Sequence, residues 1–389
     1  NDYAGPFTRG WNLQLLSSTM CNILTNLGGV TVTEQRSDLS NKVKPENYLG
    51  IKYNKHFVEN TDNPTKQYWL DGMPTNLDPR ALKMYSLVAD EGATNTPTNK
   101  GTKVEVKKVG LIVAPGDTIK IDGTCCWNGF PIGTKSSWSD LVKNNELLNT
   151  STGRISNYPI LGKEYCTGAE TGLGRVVFFG PWESYFLLAE AALREWNTPV
   201  SDEDAYKKGI AASFEYFGVS KYLDTYLASE DYNRVGTSVK YDHTTEPVSF
   251  QAEYIDGYTN KKETVMYNYP DPTKTLYGKA LNDKLSKIIT QKYIAQLPYL
   301  ALECWSDFRR LGLPFFDMPA NTAIMTGSDM TEWKPDSYKN GQSWKYYPQR
   351  MRYPLSLRTS DQEAYEAALK LLGGDNTTMV PLWWSKTDK

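Results

Sequence analysis

The stretch from Ile289 to Pro314, ITQKYIAQLPYLALECWSDFRRLGLP, constrains this chain more than any other. Its apolar positions continue a run begun at Leu281, Leu285, Ile288 and Tyr293, the three-and-four spacing that lays side chains along one stripe of a helix. A stripe of that kind must be covered, so the stretch reads as a core helix. Pro298 lacks an amide donor and pushes Leu297 away from helical dihedrals, so the run kinks or splits there, with the second helix beginning near Pro298. Gly312 then stops it. Glu303 and Asp307 sit on its second half, and Arg309 and Arg310 crowd its last turn, where cations favour the negative end of the helix dipole. Both arginines are expected to pair with those two carboxylates and to serve structure rather than ligand.

Other helical windows carry start and stop signals. Trp182 to Trp196 follows Gly180-Pro181, has apolar residues on nearly every face, and offers a Glu190 to Arg194 pair at helical spacing. Ser201 is the expected N-cap of a second helix, with Asp204 three residues on and a stripe of Tyr206, Ile210, Phe214 and Phe217 that ends at Gly218. Together they make a helical hairpin whose small residues, Ala192, Gly209 and Ala212, allow close contact. Ser360-Asp-Gln-Glu363 reads as a capping box opening a helix to Leu372, closed by Gly373. An N-terminal helix is expected from Trp11 to Leu27, broken by Gly28-Gly29.

Between these windows the chain is irregular. Residues 102–122 alternate Val and Ile with Lys and Glu around Ala-Pro-Gly-Asp, a two-stranded ribbon. A strand is expected at Arg175 to Phe179, and short strands around Val265 to Tyr269 within the Tyr-rich loops of residues 229–278. Two long segments are rich in Gly, Asn, Ser and Thr yet display rings: residues 123–172, with Trp127, Trp138, Tyr158 and Tyr165, and the segment from Met318 to Tyr347, with Trp333, Tyr338 and Trp344. Loops of such length are usually functional or disordered. The whole is read as residues 1–180, a loop-rich lobe with an N-terminal helix and a β-hairpin insert, and residues 181–389, a helical scaffold with aromatic loops, interlocked in one fold.

Charge excludes one class of partner: 43 basic and 45 acidic residues leave a net charge of −2, without the footprint of a nucleic-acid binder. Eleven Trp and 26 Tyr exceed what the core needs, and flat amphipathic rings are what protein surfaces stack on sugars and peptides. The five cysteines lack metal-ligand spacing; Cys304 reads as a buried thiol, while Cys125 or Cys126 could bond to Cys166 in an oxidising compartment. No run of about 18 apolar residues crosses a membrane, and the chain starts at Asn1 without a leader or lipid-attachment Cys, so a targeting segment is expected to have been removed.

Catalytic chemistry is hard to assemble. Only His56 and His243 could serve as imidazole bases, each in a polar loop without a nucleophile motif. Glu183, Glu190, Glu303 and Asp307 could form a glycosidase pair by type, but all lie on helices beside basic residues, where salt bridging is the simpler role. A phosphate loop is absent, since Gly172-x-Gly174 lacks the Lys, and no calcium loop of the ~12-residue kind is present. No cofactor or metal is expected.

The string QKYIA, then Glu303, Trp305, Asp307, Arg309, Arg310, Gly312 and Pro314, resembles the SusD/RagB family of outer-membrane nutrient-binding lipoproteins. Two further segments carry the resemblance: Phe186-Leu-Leu-Ala-Glu190 with Tyr206-Lys-Lys-Gly209, and Pro348-Gln-Arg350-Met-Arg352-Tyr353-Pro354 with Gly373-Gly-Asp375 and Trp383-Trp384. Leu77-Asp78-Pro79-Arg80 is a weaker match, and Leu355 to Ser360 departs from the Glu and Asn usual after Tyr353-Pro354. The resemblance implies a mainly α fold, a SusD-like scaffold of tetratricopeptide-type helical hairpins with a loop-rich lobe and a few short β-hairpins. It implies a lipoprotein facing outward on the outer membrane of a Gram-negative bacterium, attached through an N-terminal lipid anchor not in this sequence. Its expected partners are an oligosaccharide and a SusC-type TonB-dependent transporter; the alternatives are peptide capture and, from another class, a glycan-active enzyme. Members usually carry further N-terminal helices, so a longer parent chain is expected. The motif residues look architectural, and the ligand is expected at loop rings instead: Trp127, Trp138, Tyr158, Trp333, Tyr338 and Trp344, with nearby Asn, Ser and Thr for the hydroxyl rim.

Overall fold

The computed structural model describes residues 16–52, 68–69, 72–87, 109–114, 117–121, 127–129, 159–162, 165, 177–256, 259, 261–269, 280–316, 347–373 and 376–385. In chain order these hold helix α1 (Ser18–Leu24), strands β1 (Tyr48–Lys52), β2 (Tyr68–Trp69), β3 (Tyr85–Ser86), β4 (Val109–Ala114), β5 (Asp117–Ile121) and β6 (Ile160–Leu161). Helices α2 (Pro181–Leu193), α3 (Asp202–Tyr216) and α4 (Leu223–Ala228), strands β7 (Phe250–Asp256) and β8 (Lys262–Tyr267), and helices α5 (Lys284–Gln296), α6 (Ala301–Leu311) and α7 (Gln362–Leu372) follow. Single helical turns and bends link them, and helix predominates, as expected of a mainly α chain.

Local chemistry sets the helix ends. Pro181 opens α2 at the position where its missing amide costs nothing, and Ser201 caps α3 by accepting the Asp204 amide at 3.1 Å. Asp283 does the same for α5, accepting the Ser286 amide at 2.7 Å. The run through Pro298 is two helices; α5 stops at Gln296 and α6 starts at Ala301. Gly312 closes α6 at φ +69, returning its amide to the Phe308 carbonyl at 2.7 Å. At α7 the cap falls on Asp361 rather than Ser360, because Ser360 completes a preceding turn and the Asp361 carboxylate accepts the Ala364 amide. At the N-terminal end, α1 is shorter than its apolar spacing suggests. Thr25 leaves the helix to bridge Leu77, and Asn26 turns left-handed at φ 64.

Helices α2 and α3 form the expected hairpin, and α5 packs against both. The contact depends on Gly209, where an added Cβ would stand 2.7 Å from the Phe186 ring. Phe186, Tyr206, Ile210 and Phe214 are fully buried there, and α5 is buried almost all round. The same core takes in Met20, Leu24, Leu77 and Met84, so residues from both sides of position 180 share one apolar interior.

The sheet content departs from expectation in two places. Residues 250–256, which read as Tyr-rich loop, form β7 and pair antiparallel with β8 and parallel with β1 in a sheet of order β2-β1-β7-β8. Its alternation points Ala252 and Tyr254 into a satellite core with Leu49 and Tyr267. Val177 to Phe179 is not a strand; Phe178 and Phe179 are exposed there, ahead of α2. The β4–β5 ribbon is antiparallel as its alternation implied.

Candidate functional site

Of the six rings expected to meet a ligand, Trp138, Tyr158, Trp333, Tyr338 and Trp344 lie outside the described residues. Trp127 is described, and its ring has no exposed surface. Its Nε1–H donates to Thr25 Oγ1 at 3.0 Å, and its ring meets Tyr85 edge to face at 6.3 Å. An indole whose one polar group is satisfied can be wholly buried. Trp127 therefore pins its segment onto α1 and presents no face to a ligand, which corrects its place in the expected set.

The motif charge Arg310 of α6 keeps the Asp307 partner its spacing suggested and adds a second on another helix. Arg310 reaches across to α2 and grips Glu190 with two hydrogen bonds, at 2.5 and 2.7 Å, while also donating to Asp307 at 2.9 Å. Arg194 donates to the same Glu190 at 3.0 Å. Lys292 of α5 lies between Glu183 at 3.0 Å and Asp307 at 2.8 Å. Gln296 also donates to Glu183. Glu303 forms no ion pair among the described residues, and Arg309 Nε finds no hydrogen-bond partner, so Arg310 alone does the pairing expected of both. Burial raises the Glu190 carboxyl, but the hydrogen bonds and charges of Arg310 and Arg194 outweigh it and hold the group below its ordinary value.

These charges floor a cavity of about 950 Å³ between α2, α6 and the C-terminal turn, walled by Leu187, Leu188, Trp196 and Trp384. All four carboxylates considered for glycosidase work line it. Glu183, Glu190 and Asp307 are already held by cations, and a general acid needs a raised pKa, the opposite of what Glu190 shows. The network is a brace joining three helices.

A second brace sits deeper. Arg80 is fully buried and bonds Asp78 through Nε at 3.0 Å and Nη2 at 2.8 Å, Ser213 of α3 at 3.0 Å, Tyr226 of α4 at 2.8 Å and Gln291 of α5 at 2.8 Å. The Asp-Pro-Arg triplet thus ties the N-terminal part to three helices, which its weak sequence match did not reveal. The third motif segment is equally structural. Arg350 lies over the Tyr353 ring at 4.9 Å and donates to Asn376 Oδ1 at 2.8 Å, and Asn376 brackets the Tyr353 backbone from both sides. Trp305 packs with Phe308, Phe316 and Tyr347 in one aromatic cluster.

Cys304 is a buried free thiol, as its place on the core helix implied, whereas Cys125, Cys126 and Cys166 lie outside the described residues. Among the described residues no cluster of three His, Cys, Asp or Glu could hold a metal, and no helix is long and apolar enough to cross a membrane.

Comparison with known proteins closes the identification. A family model described as SusD-like, Susd and RagB outer membrane lipoprotein, matches residues 167–385. A search of curated proteins gives no match. Among solved structures, a SusD homologue from Parabacteroides distasonis aligns with 96% of this chain and 52% of its own at 23% identity and a TM-score of 0.48. A chitin-binding SusD homologue from Flavobacterium johnsoniae aligns over 59% of this chain and 39% of its own, at 22% identity and a TM-score of 0.37. A SusD-like protein from Bacteroides thetaiotaomicron covers 66% and 43%, at 22% identity and a TM-score of 0.36. This chain spans about half the length of the first of these or less of the others. The family match takes in more than half of the chain, including all three motif segments, and on that ground the chain belongs to the SusD/RagB family of outer membrane lipoproteins.

Proposed function

We propose that this protein is a cell-surface binding protein that captures oligosaccharides and passes them to a SusC-type TonB-dependent transporter in the outer membrane. The observation that carries this reading is the family match over residues 167–385, and the division of labour between motif and loop agrees with it. Motif charges such as Arg310, Glu190 and Lys292 are consumed by each other, which leaves recognition to the loops. There Trp138, Tyr158, Trp333, Tyr338 and Trp344 stand among Asn, Ser and Thr, the residues that stack on a pyranose face and bond its hydroxyl rim. The chitin-binding relative makes a glycan the first ligand class to test. Binding without catalysis is supported by three of the four cavity carboxylates, Glu183, Glu190 and Asp307, already being paired.

The experiment is calorimetry with an oligosaccharide panel, repeated on Trp138→Ala, Trp333→Ala and Trp344→Ala. Loss of one stacking ring should cost ~1 to 3 kcal/mol of affinity, roughly one to two decades in Kd, with the melting temperature unchanged. Three folded variants of unaltered affinity would remove these rings from the site. Failure of every glycan to bind the wild type would move the reading to peptide capture.

A further inference from the structure

The segment of residues 229–249 crosses from α4 to β7 and is moored to the start of α5 by a directed chain of hydrogen bonds. Lys287 is fully buried, and its Nζ donates to the Ser238 carbonyl at 2.8 Å, to Ser238 Oγ at 2.6 Å and to Asn282 Oδ1 at 2.8 Å. Tyr232 donates its only hydroxyl proton to the Thr245 carbonyl at 2.8 Å. The 3.3 Å contact between Tyr232 Oη and His243 Nε2 must therefore be a donation from the imidazole. In the neutral ring Nδ1 is then a bare acceptor 3.0 Å from Ser238 Oγ, whose proton it shares as a target with Asn282 Oδ1, also at 3.0 Å. With a neutral imidazole the chain runs Lys287 to Ser238 to His243 to Tyr232 to Thr245.

The same geometry says what a proton would do. Ser238 Oγ sits between Lys287 and His243, so the two nitrogens stand within roughly 6 Å, where like charges disfavour each other. A second proton would also turn Nδ1 into a donor facing the hydroxyl that now donates to it. The Ser238 proton would then have to turn to Asn282 Oδ1 at 3.0 Å, which already accepts the Ser238 amide and Lys287, while Asn282 Nδ2 holds the His243 and Thr245 carbonyls. Around the pair stand Glu230 bonded to Lys240, Glu246 accepting the Asn282 amide, Asp242 near Lys284, and the α5 cap Asp283. Beyond Tyr232 comes the Tyr269 ring. The mooring matters to the sheet, because Tyr267 of β8 donates to the Arg234 carbonyl in the same segment.

We propose that Lys287, Ser238 and His243 form a proton-sensitive latch, closed while the imidazole is neutral, that holds residues 229–249 and the β7–β8 pair onto α5 and releases them on acidification. Burial, with Lys287 and Lys240, lowers the His243 pKa against the opposing pull of Glu230. Burial alone drives Lys287 down to about 7 against Glu246 and Asp283. A base whose folded pKa lies below its unfolded value of ~6.5 binds more protons unfolded, so the imidazole's contribution to the latch is complete above that pH and falls away as pH drops through it. Glu246 works in the other direction: burial raises its pKa, so its proton helps the fold as pH falls.

The chain has two histidines, so proton NMR of the wild type and of His56→Gln assigns both imidazoles. The His243 midpoint should lie below ~6.5. Amide exchange of residues 233–246, corrected for its intrinsic pH dependence, should quicken about tenfold across that midpoint, the equivalent of ~1.4 kcal/mol. His243→Asn keeps an acceptor but cannot be protonated, so its exchange should lose that step. Lys287→Met should raise the His243 midpoint toward its ordinary value, and this arm decides the matter if the Asn variant misfolds. A wild-type midpoint at or above ~6.5, an unchanged step in His243→Asn, or a midpoint indifferent to Lys287→Met would each overturn the latch.

Discussion

Helix α5 takes part in two buried cationic centres that solve the same problem in opposite ways. Arg80, which bonds Gln291, has a carboxylate against it: Asp78 offers both oxygens, and burial, which lowers the guanidinium pKa, is outweighed by that charge. Lys287 has only neutral oxygens within hydrogen-bond reach, and burial wins, taking it to about 7. A buried charge with a fixed counter-charge is a permanent joint, whereas one held by dipoles alone is conditional on pH. The first joins Asp78 and Arg80 to three helices, and the second moors a segment that leads to the satellite sheet.

The sharpest way to break this contrast is to remove the Arg80 side chain. Arg80→Met leaves Asp78 buried without its cation and Ser213 without a donor, so about 3–5 kcal/mol should be lost, read as a fall in the urea midpoint at pH 7. A loss under about 1 kcal/mol would mean that Asp78 finds water and that the joint is not a joint. Next in size comes the partly exposed brace. Arg310→Ala should cost about 1.5–3 kcal/mol, since two bonds to Glu190 and one to Asp307 vanish while Arg194 keeps Glu190 partly compensated. Glycan affinity should not move; if affinity falls and the midpoint holds, Arg310 belongs to the ligand site. Gly209→Ala tests the apolar side of the same framework, and about 1–3 kcal/mol should go as the new methyl meets the Phe186 ring.

Which of these joints the sequence disclosed follows from the range of the interactions. Caps such as Ser201 and Gly312 are local, written within a few residues, and the helices they bound lie where periodicity put them. The strand β7 escaped because its alternation is short; its hairpin partner β8 is near in sequence, but its parallel partner β1 lies about two hundred residues upstream, beyond the reach of any local pattern. Arg310 was expected to pair within its own helix, and its main partner proved to be Glu190 on α2, a long-range choice that spacing cannot reveal. Trp127 looked like display because its neighbours are Gly and Asn, yet Thr25 supplies the acceptor that lets it sink into the core. Asp78 and Arg80 were visible only as a faint motif, because the value of an Arg lies in which helices converge on its fork.

The smallest effect is expected at Lys287, and its sign is what separates the two centres. Lys287→Met removes donors from the Ser238 carbonyl and Oγ and from Asn282 Oδ1, though Asn282 Oδ1 keeps the Ser238 amide. Each bare acceptor costs about 1–3 kcal/mol. Against that stands the cost of the buried charge. With a folded pKa of about 7 and an unfolded one of ~10.4, the unfolded chain binds more protons between those values, so wild-type stability rises with pH across that window. Below about pH 7 the wild type carries the whole penalty, and near pH 10 almost none of it. Methionine carries none at either. The variant should therefore fall clearly below the wild type at pH 9.5 and approach or match it at pH 7, a convergence absent from Arg80→Met, whose deficit should be the same at both. Urea midpoints of the two variants and the wild type at these pH values measure it. If the Lys287→Met and wild-type curves run parallel, Lys287 keeps its proton throughout, and the two centres are the same kind of joint.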